Sequence, residues 1–147
     1  MLAPGSFEHN KTELYNVNDG TWIETANYPF GDSLTGFTII YKNNEFLIFG
    51  GLRSSTYEIY QTVTAFDITT ETWRQVGTMN SPRYDHATIV FDNVALIVGG
   101  NGDEMSQPTE KCEISKNNEV SCETQDPILE NYWFPFAFPV DVNYCLV

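Results

Sequence analysis

Apolar residues in this chain come in runs of four to eight, each closed by turn residues, and they never recur at helical spacing. The stretch "GFTIIYKNN" from Gly36 is followed by "FLIFGG", ending at Gly51. Likewise "HATIVFDN" from His86 is followed by "ALIVGG", ending at Gly100. Each pair reads as two strands joined by a tight turn containing Asn, a hairpin signal. "TIVF" and "ALIV" are almost continuously apolar, the pattern of strands covered on both faces.

These runs repeat. Gly50 and Gly99, the first glycines of the two double-glycine elements, are 49 residues apart. A second pair of segments, "LYNVNDGTW" (Leu14 to Trp22) and "AFDITTETW" (Ala65 to Trp73), carries its own markers. Tyr15 precedes Trp22 by seven residues, as Phe66 precedes Trp73, and the two tryptophans are 51 apart. Two independent markers sharing one period near fifty define a structural repeat. A third, degenerate copy, "KCEISKNNEVSCE" (Lys111 to Glu123), has cysteine near the place of tryptophan, and "WFPFAFPVDVNYCLV" opens another first half. The expected organisation is a single array over 1–147: a half unit at 8–30, whole units at 31–80 and 81–126, and a half unit at 127–147. In the last, Phe134, Phe136 and Phe138 alternate with Pro and Ala, which suits an edge strand with one apolar face.

Together the double glycines, the aromatic and the tryptophan at fixed offsets resemble the kelch repeat, most fully in "TMNSPRYDHATIVFDNVALIVGGNG". The resemblance covers nearly the whole chain and implies an all-β fold of four-stranded β-propeller blades. Gly50, Gly51, Gly99, Gly100, Tyr15, Trp22, Phe66 and Trp73 would be its structural positions. Propellers have about four to eight blades, and this chain has material for about three. It reads as part of a longer protein, as a chain whose end halves join by association, or as an open array packed on another subunit. The cysteine-bearing copy resembles units of extracellular animal kelch proteins.

Composition and charge narrow the function. With 20 acidic and 7 basic residues the net charge is -13, which disfavours nucleic-acid binding. No run of about 20 apolar residues could span a membrane, and "MLAPGSFEHN" lacks the regions of a signal peptide. A phosphate cradle at "VALIVGGNG" would need a helix behind the glycines, whereas "NGDEMSQPTE" follows. Glycines there are expected to permit a sharp turn and close approach of neighbouring blades. His9 and His86 are the only histidines, too few for the metal site of a propeller oxidase. Asp85 beside His86 has no nucleophile tied to it by motif, and His86 is read as a structural hydrogen-bonding residue. "NVNDGTW" lacks the spacing of a sialidase Asp-box, and "NGDE" lacks the alternating ligands of a calcium loop. No catalytic, cofactor-binding or metal-binding set is expected.

Cys112 and Cys122 flank a hairpin with Asn117 and Asn118 at its tip, so opposed strands could bring them into disulfide reach; three free buried thiols are the alternative. Cys145 is left over. Asn10-Lys11-Thr12 is a glycosylation triplet. With the cysteines it points toward an extracellular protein, a cytoplasmic one being the alternative. The leading expectation is a non-catalytic scaffold whose loops meet a protein or glycan partner. "LRSSTYEIYQ" (Leu52 to Gln61) offers Arg53, Tyr57 and Tyr60 as a loop. Arg83 and Tyr84 lie where kelch adaptors often place a pocket-facing arginine; the other reading of Arg83 is a turn cap or a partner for a nearby carboxylate. The rival expectations are an extracellular structural subunit assembling through exposed blade edges, and a piece of a propeller enzyme with its active site elsewhere.

Overall fold

The computed structural model describes residues 2–6, 9–29, 34–103 and 107–125, with side chains from Lys11 onward. The half unit at 127–147, with Cys145, lies outside the described residues, as does the Asn10 side chain. Every regular element among the described residues is a strand. The strands form three stacked layers. The first is β1 (Leu2–Ser6), β2 (His9–Asn16) and β3 (Thr21–Thr25), antiparallel in that order. β1 lies outside the half unit expected at 8–30.

The second layer is β5 (Thr38–Lys42), β6 (Glu45–Arg53), β7 (Glu58–Asp67) and β8 (Thr72–Thr78), side by side, with the short β4 (Leu34–Thr35) added at the far end of β6. The third is β9 (Ala87–Phe91), β10 (Val94–Val98), β11 (Glu110–Ile114) and β12 (Val120–Thr124). Local chemistry closes the hairpins. Asn43 and Asn44 join β5 to β6 with φ of 46° and 66°, a mirror-image turn whose twist matches the strands. Asp92, with φ of 50°, and Asn93 form the two-residue turn between β9 and β10.

Two cores lie between the layers. Leu47, Phe49, Val63 and Ala65 of the second layer pack against Ala95, Ile97, Cys112 and Ile114 of the third. Ile48 and Phe66, on the opposite face of the second layer, pack with Tyr28 and Leu34, and Leu14 of the first layer joins them. Successive residues of β6 therefore enter different cores, and its sequence must be apolar at every position. At the outer edge β8 and β12 pair in parallel, Gly77 opposite Val120 and Thr78 opposite Ser121. At the inner edge the Thr38 and Thr88 hydroxyls are 2.6 Å apart.

The sequence markers occupy one place in all three layers, across the two outermost strands. Tyr15 faces Trp22 with ring centroids 5.0 Å apart, and Phe66 faces Trp73 at 4.9 Å. In the third layer the pair is Cys112 opposite Cys122, joined as a disulfide. The segment leaving each outermost strand then caps the pair of the next layer. After β3, Tyr28 sets its ring edge-on to Trp73 at 5.0 Å, and the Ala26 carbonyl accepts the Trp73 indole N–H at 2.9 Å. After β8, Met79 joins the core around Cys112, and the Asn80 side-chain amide donates to the Cys122 carbonyl at 3.3 Å.

The disulfide joins residues ten apart. By the loop-closure relation, its removal in a Cys112→Ala/Cys122→Ala variant should cost about 2.5 kcal/mol. A lowered stability extrapolated from urea unfolding reports it, and an unchanged one refutes it.

Candidate interaction face

At one end of the layers three connections converge: the turn at 54–57, the segment from Met79 to His86, and the backbone from Gly99 to Gly102. The stretch Leu52 to Gln61, expected as a loop, is mostly strand. Arg53 ends β6, Glu58 opens β7, and Arg53 and Glu58 are register partners, so only four residues turn. The tight hairpin projects Tyr57, 79% exposed and with φ of 59°. The Arg53 guanidinium lies 3.9 Å from the Glu58 carboxylate, and the Tyr60 hydroxyl donates to Glu58 at 3.2 Å. Burial, then the Glu58 charge, pushes the Tyr60 phenol above its usual range. Tyr84 is half-buried and tied by two backbone hydrogen bonds to Asn101, at 2.9 and 2.8 Å. The Tyr60 carbonyl accepts the Arg83 N–H at 3.2 Å, which sets the Tyr84 segment beside the hairpin. Arg53, Tyr57, Tyr60 and Tyr84 thus share one end of the molecule.

Arg83 does not belong to this surface, and its expected pocket-facing role is corrected. It is 0% exposed, with a guanidinium nitrogen 2.7 Å from the equally buried Glu110 carboxylate and another donating to the Gly99 carbonyl at 3.1 Å. Glu110 also accepts the backbone N–H groups of Asn80 (2.7 Å) and Ser81 (3.0 Å). This pair fixes the segment on which Tyr84 stands. Burial pushes the Arg83 guanidinium below its usual range, against the opposing pull of Glu110. Nothing in "SPRYDH" separates a buried arginine from a presented one; the signal lay in Glu110, an acid on the same face of β11 as the buried Cys112 and Ile114.

The double glycines make room for that segment. A Cβ on Gly50 (φ +56°) would lie 2.5 Å from the Arg83 carbonyl oxygen, and one on Gly100 (φ +93°) 2.7 Å from that of Tyr84. Gly51 and Gly99 stand next to them, and the Gly51 N–H donates to the Arg83 carbonyl at 2.9 Å. His86 sits between the two pairs, within 3.2 Å of a Cβ on either Gly50 or Gly100. It is 5% exposed and holds the Thr38 hydroxyl at 2.8 Å through Nε2, while Nδ1 has no partner among the described residues. Asp85 therefore does not orient His86, and the two form no catalytic pair.

Glu110, Cys112 and Cys122 bring three donor atoms within 4.8 Å of one another. With the sulfurs bonded together and the carboxylate holding Arg83 and two N–H groups, these atoms are not available to a metal. At the opposite end a polar cavity of about 300 Å³ lies between the turns of the second and third layers. Two of its charged groups are paired: Arg74 holds Glu45 (2.9 Å) and reaches Glu119 (3.0 Å), and the buried Asn118 amide donates to Glu45 (2.6 Å). That network joins layers and leaves the Tyr57 end as the candidate face.

No protein-family model matches the chain. Kelch-like protein 30 of Homo sapiens is 26% identical over 89 residues, 59% of this chain and 15% of that protein. Among solved structures, YjhT superposes with a TM-score of 0.53 at 19% identity, over 63% of this chain and 27% of that one. The chain thus spans well under a third of the length of either. YjhT is a kelch-type propeller, and the three-layer stack matches it in fold. The three layers are β-propeller blades in fold: two with four strands side by side and one with three among the described residues.

Proposed function

We propose that this chain is a non-catalytic interaction scaffold whose Tyr57 end meets a protein partner. One observation carries the reading. An exposed tyrosine on a tight hairpin, with Arg53, Tyr60 and Tyr84 around it, is mounted on backbone that a buried ion pair holds rigid. Tyr and Arg are the types enriched at interface hot spots, and a fixed frame lowers the ordering cost of binding. The likeness to Kelch-like protein 30 supports a blade scaffold. The disulfide supports an extracellular setting, where such bonds persist; a glycan remains the second class of partner.

Tyr57→Ala and Arg53→Ala should each weaken the partner complex by about 1–3 kcal/mol with no change in melting temperature. Lys116→Ala, at the opposite end, should leave affinity unchanged. Titration calorimetry against a partner recovered by photo-crosslinking from position 57 measures all three. Equal losses in the three variants would overturn the assignment of the face. A peptide map of the natural protein tests location: free thiols and a bare Asn10 would place it in the cytoplasm.

A further inference from the structure

We propose that the chain associates head to tail with a second copy of itself, the outer face of its first layer docking on the outer face of the partner's third. The warrant is an interface that the chain already contains twice. In each instance, the cross-strand pair on the two outermost strands faces the preceding layer and is covered by it. Phe66 is fully buried and Trp73 capped by Tyr28 and the Ala26 carbonyl; Cys112 is fully buried against the second layer. The Tyr15–Trp22 pair holds the same place in the first layer, yet Trp22 is 48% exposed. An indole left half in water where its counterpart is capped marks a face built to be covered.

The chain also carries the mate of that face. Leu47 and Phe49 point from the second layer into the core shared with the third. Their repeat counterparts, four positions and two positions short of the second double glycine's end, are Leu96 and Val98. Ala95 and Ile97 of β10 are buried against the second layer, while Leu96 and Val98 alternate with them onto the opposite face and are partly exposed. Front and back faces are therefore complementary by the chain's own repetition. Two different patches meeting make a heterologous contact, which closes into a ring or runs on as an array.

Sedimentation equilibrium of the whole chain from low to several hundred micromolar tests this. The average mass should rise from one chain to two or more. Trp22→Ser and Leu96→Lys should each stay monomeric alone, because each destroys one face of every copy. Mixed in equal amounts they should form a two-chain species and nothing larger, because one intact front and one intact back remain. Recovery in the mixture also shows that both variants are folded. A wild-type chain that is monomeric throughout, either variant associating alone, or a mixture that stays monomeric overturns the proposal.

Discussion

Glu110→Ala should lower the stability of the chain by about 3–5 kcal/mol, the cost of leaving a buried charge without its partner. Arg83 and Glu110 are both 0% exposed and 2.7 Å apart, so neither can turn to water when the other is removed. The substitution also strands the N–H groups of Asn80 and Ser81, both of which donate to this carboxylate. For a chain of this size the melting temperature should fall by on the order of 10 °C. Arg83→Met/Glu110→Ala should be more stable than Glu110→Ala alone, because the double variant buries no unpaired charge. Equal melting points for single and double variants, or a loss below about 1 kcal/mol, would show that water reaches the pair. The damage should extend to the interaction face. Arg83 accepts from Gly51 and donates to Tyr60 through its backbone, so amide exchange at Tyr57 and Glu58 should quicken in Glu110→Ala well below its melting point.

The repeat made the fold legible. Period-2 and continuous apolar runs name strands, and markers fifty residues apart show that the strands form equivalent sheets. Stacking equivalent sheets leaves few architectures, so the double glycines read correctly as room for backbone, while the Tyr–Trp spacing served only as a repeat marker and its cross-strand pairing is seen in the structure. The Cys112–Cys122 pairing was legible separately, from the hairpin that the two cysteines flank. What stayed hidden was orientation. "LRSSTYEIYQ" contains Ser, Ser and Thr, ordinary turn residues, but the register that pairs Arg53 with Glu58 is set by packing further down β6 and β7. Of the two readings of Arg83, the carboxylate partner holds, but Glu110 could not be named because it lies 27 residues away and on another strand. Pair energies between distant charges leave no local pattern. β1 escaped because its pairing with β2 is made by backbone atoms.

Acid should weaken the molecule through His86. Burial, with the Arg83 charge adding to it, pushes the imidazole from its usual 6.5 down to about 3. Above pH 6.5 the ring is neutral in folded and unfolded chains alike and costs nothing. Between 6.5 and 3 the unfolded chain takes up a proton that the folded one refuses, so stability falls as pH falls, by about 1.4 kcal/mol per unit. The loss is then about 2 kcal/mol by pH 5. Urea unfolding of wild type and His86→Gln at pH 7, 6 and 5 isolates it. The variant should be less stable at pH 7, having lost the imidazole's fit between Gly50 and Gly100, yet flatter with pH. His9 is present in both proteins, so its titration cancels in the comparison. Parallel slopes would mean that His86 is protonated in the folded chain. The packing argues otherwise: an imidazolium would stand in the seam between the second and third layers, beside a buried guanidinium, with Nδ1 unpartnered among the described residues. Protonation therefore favours the unfolded chain, where the imidazolium is solvated.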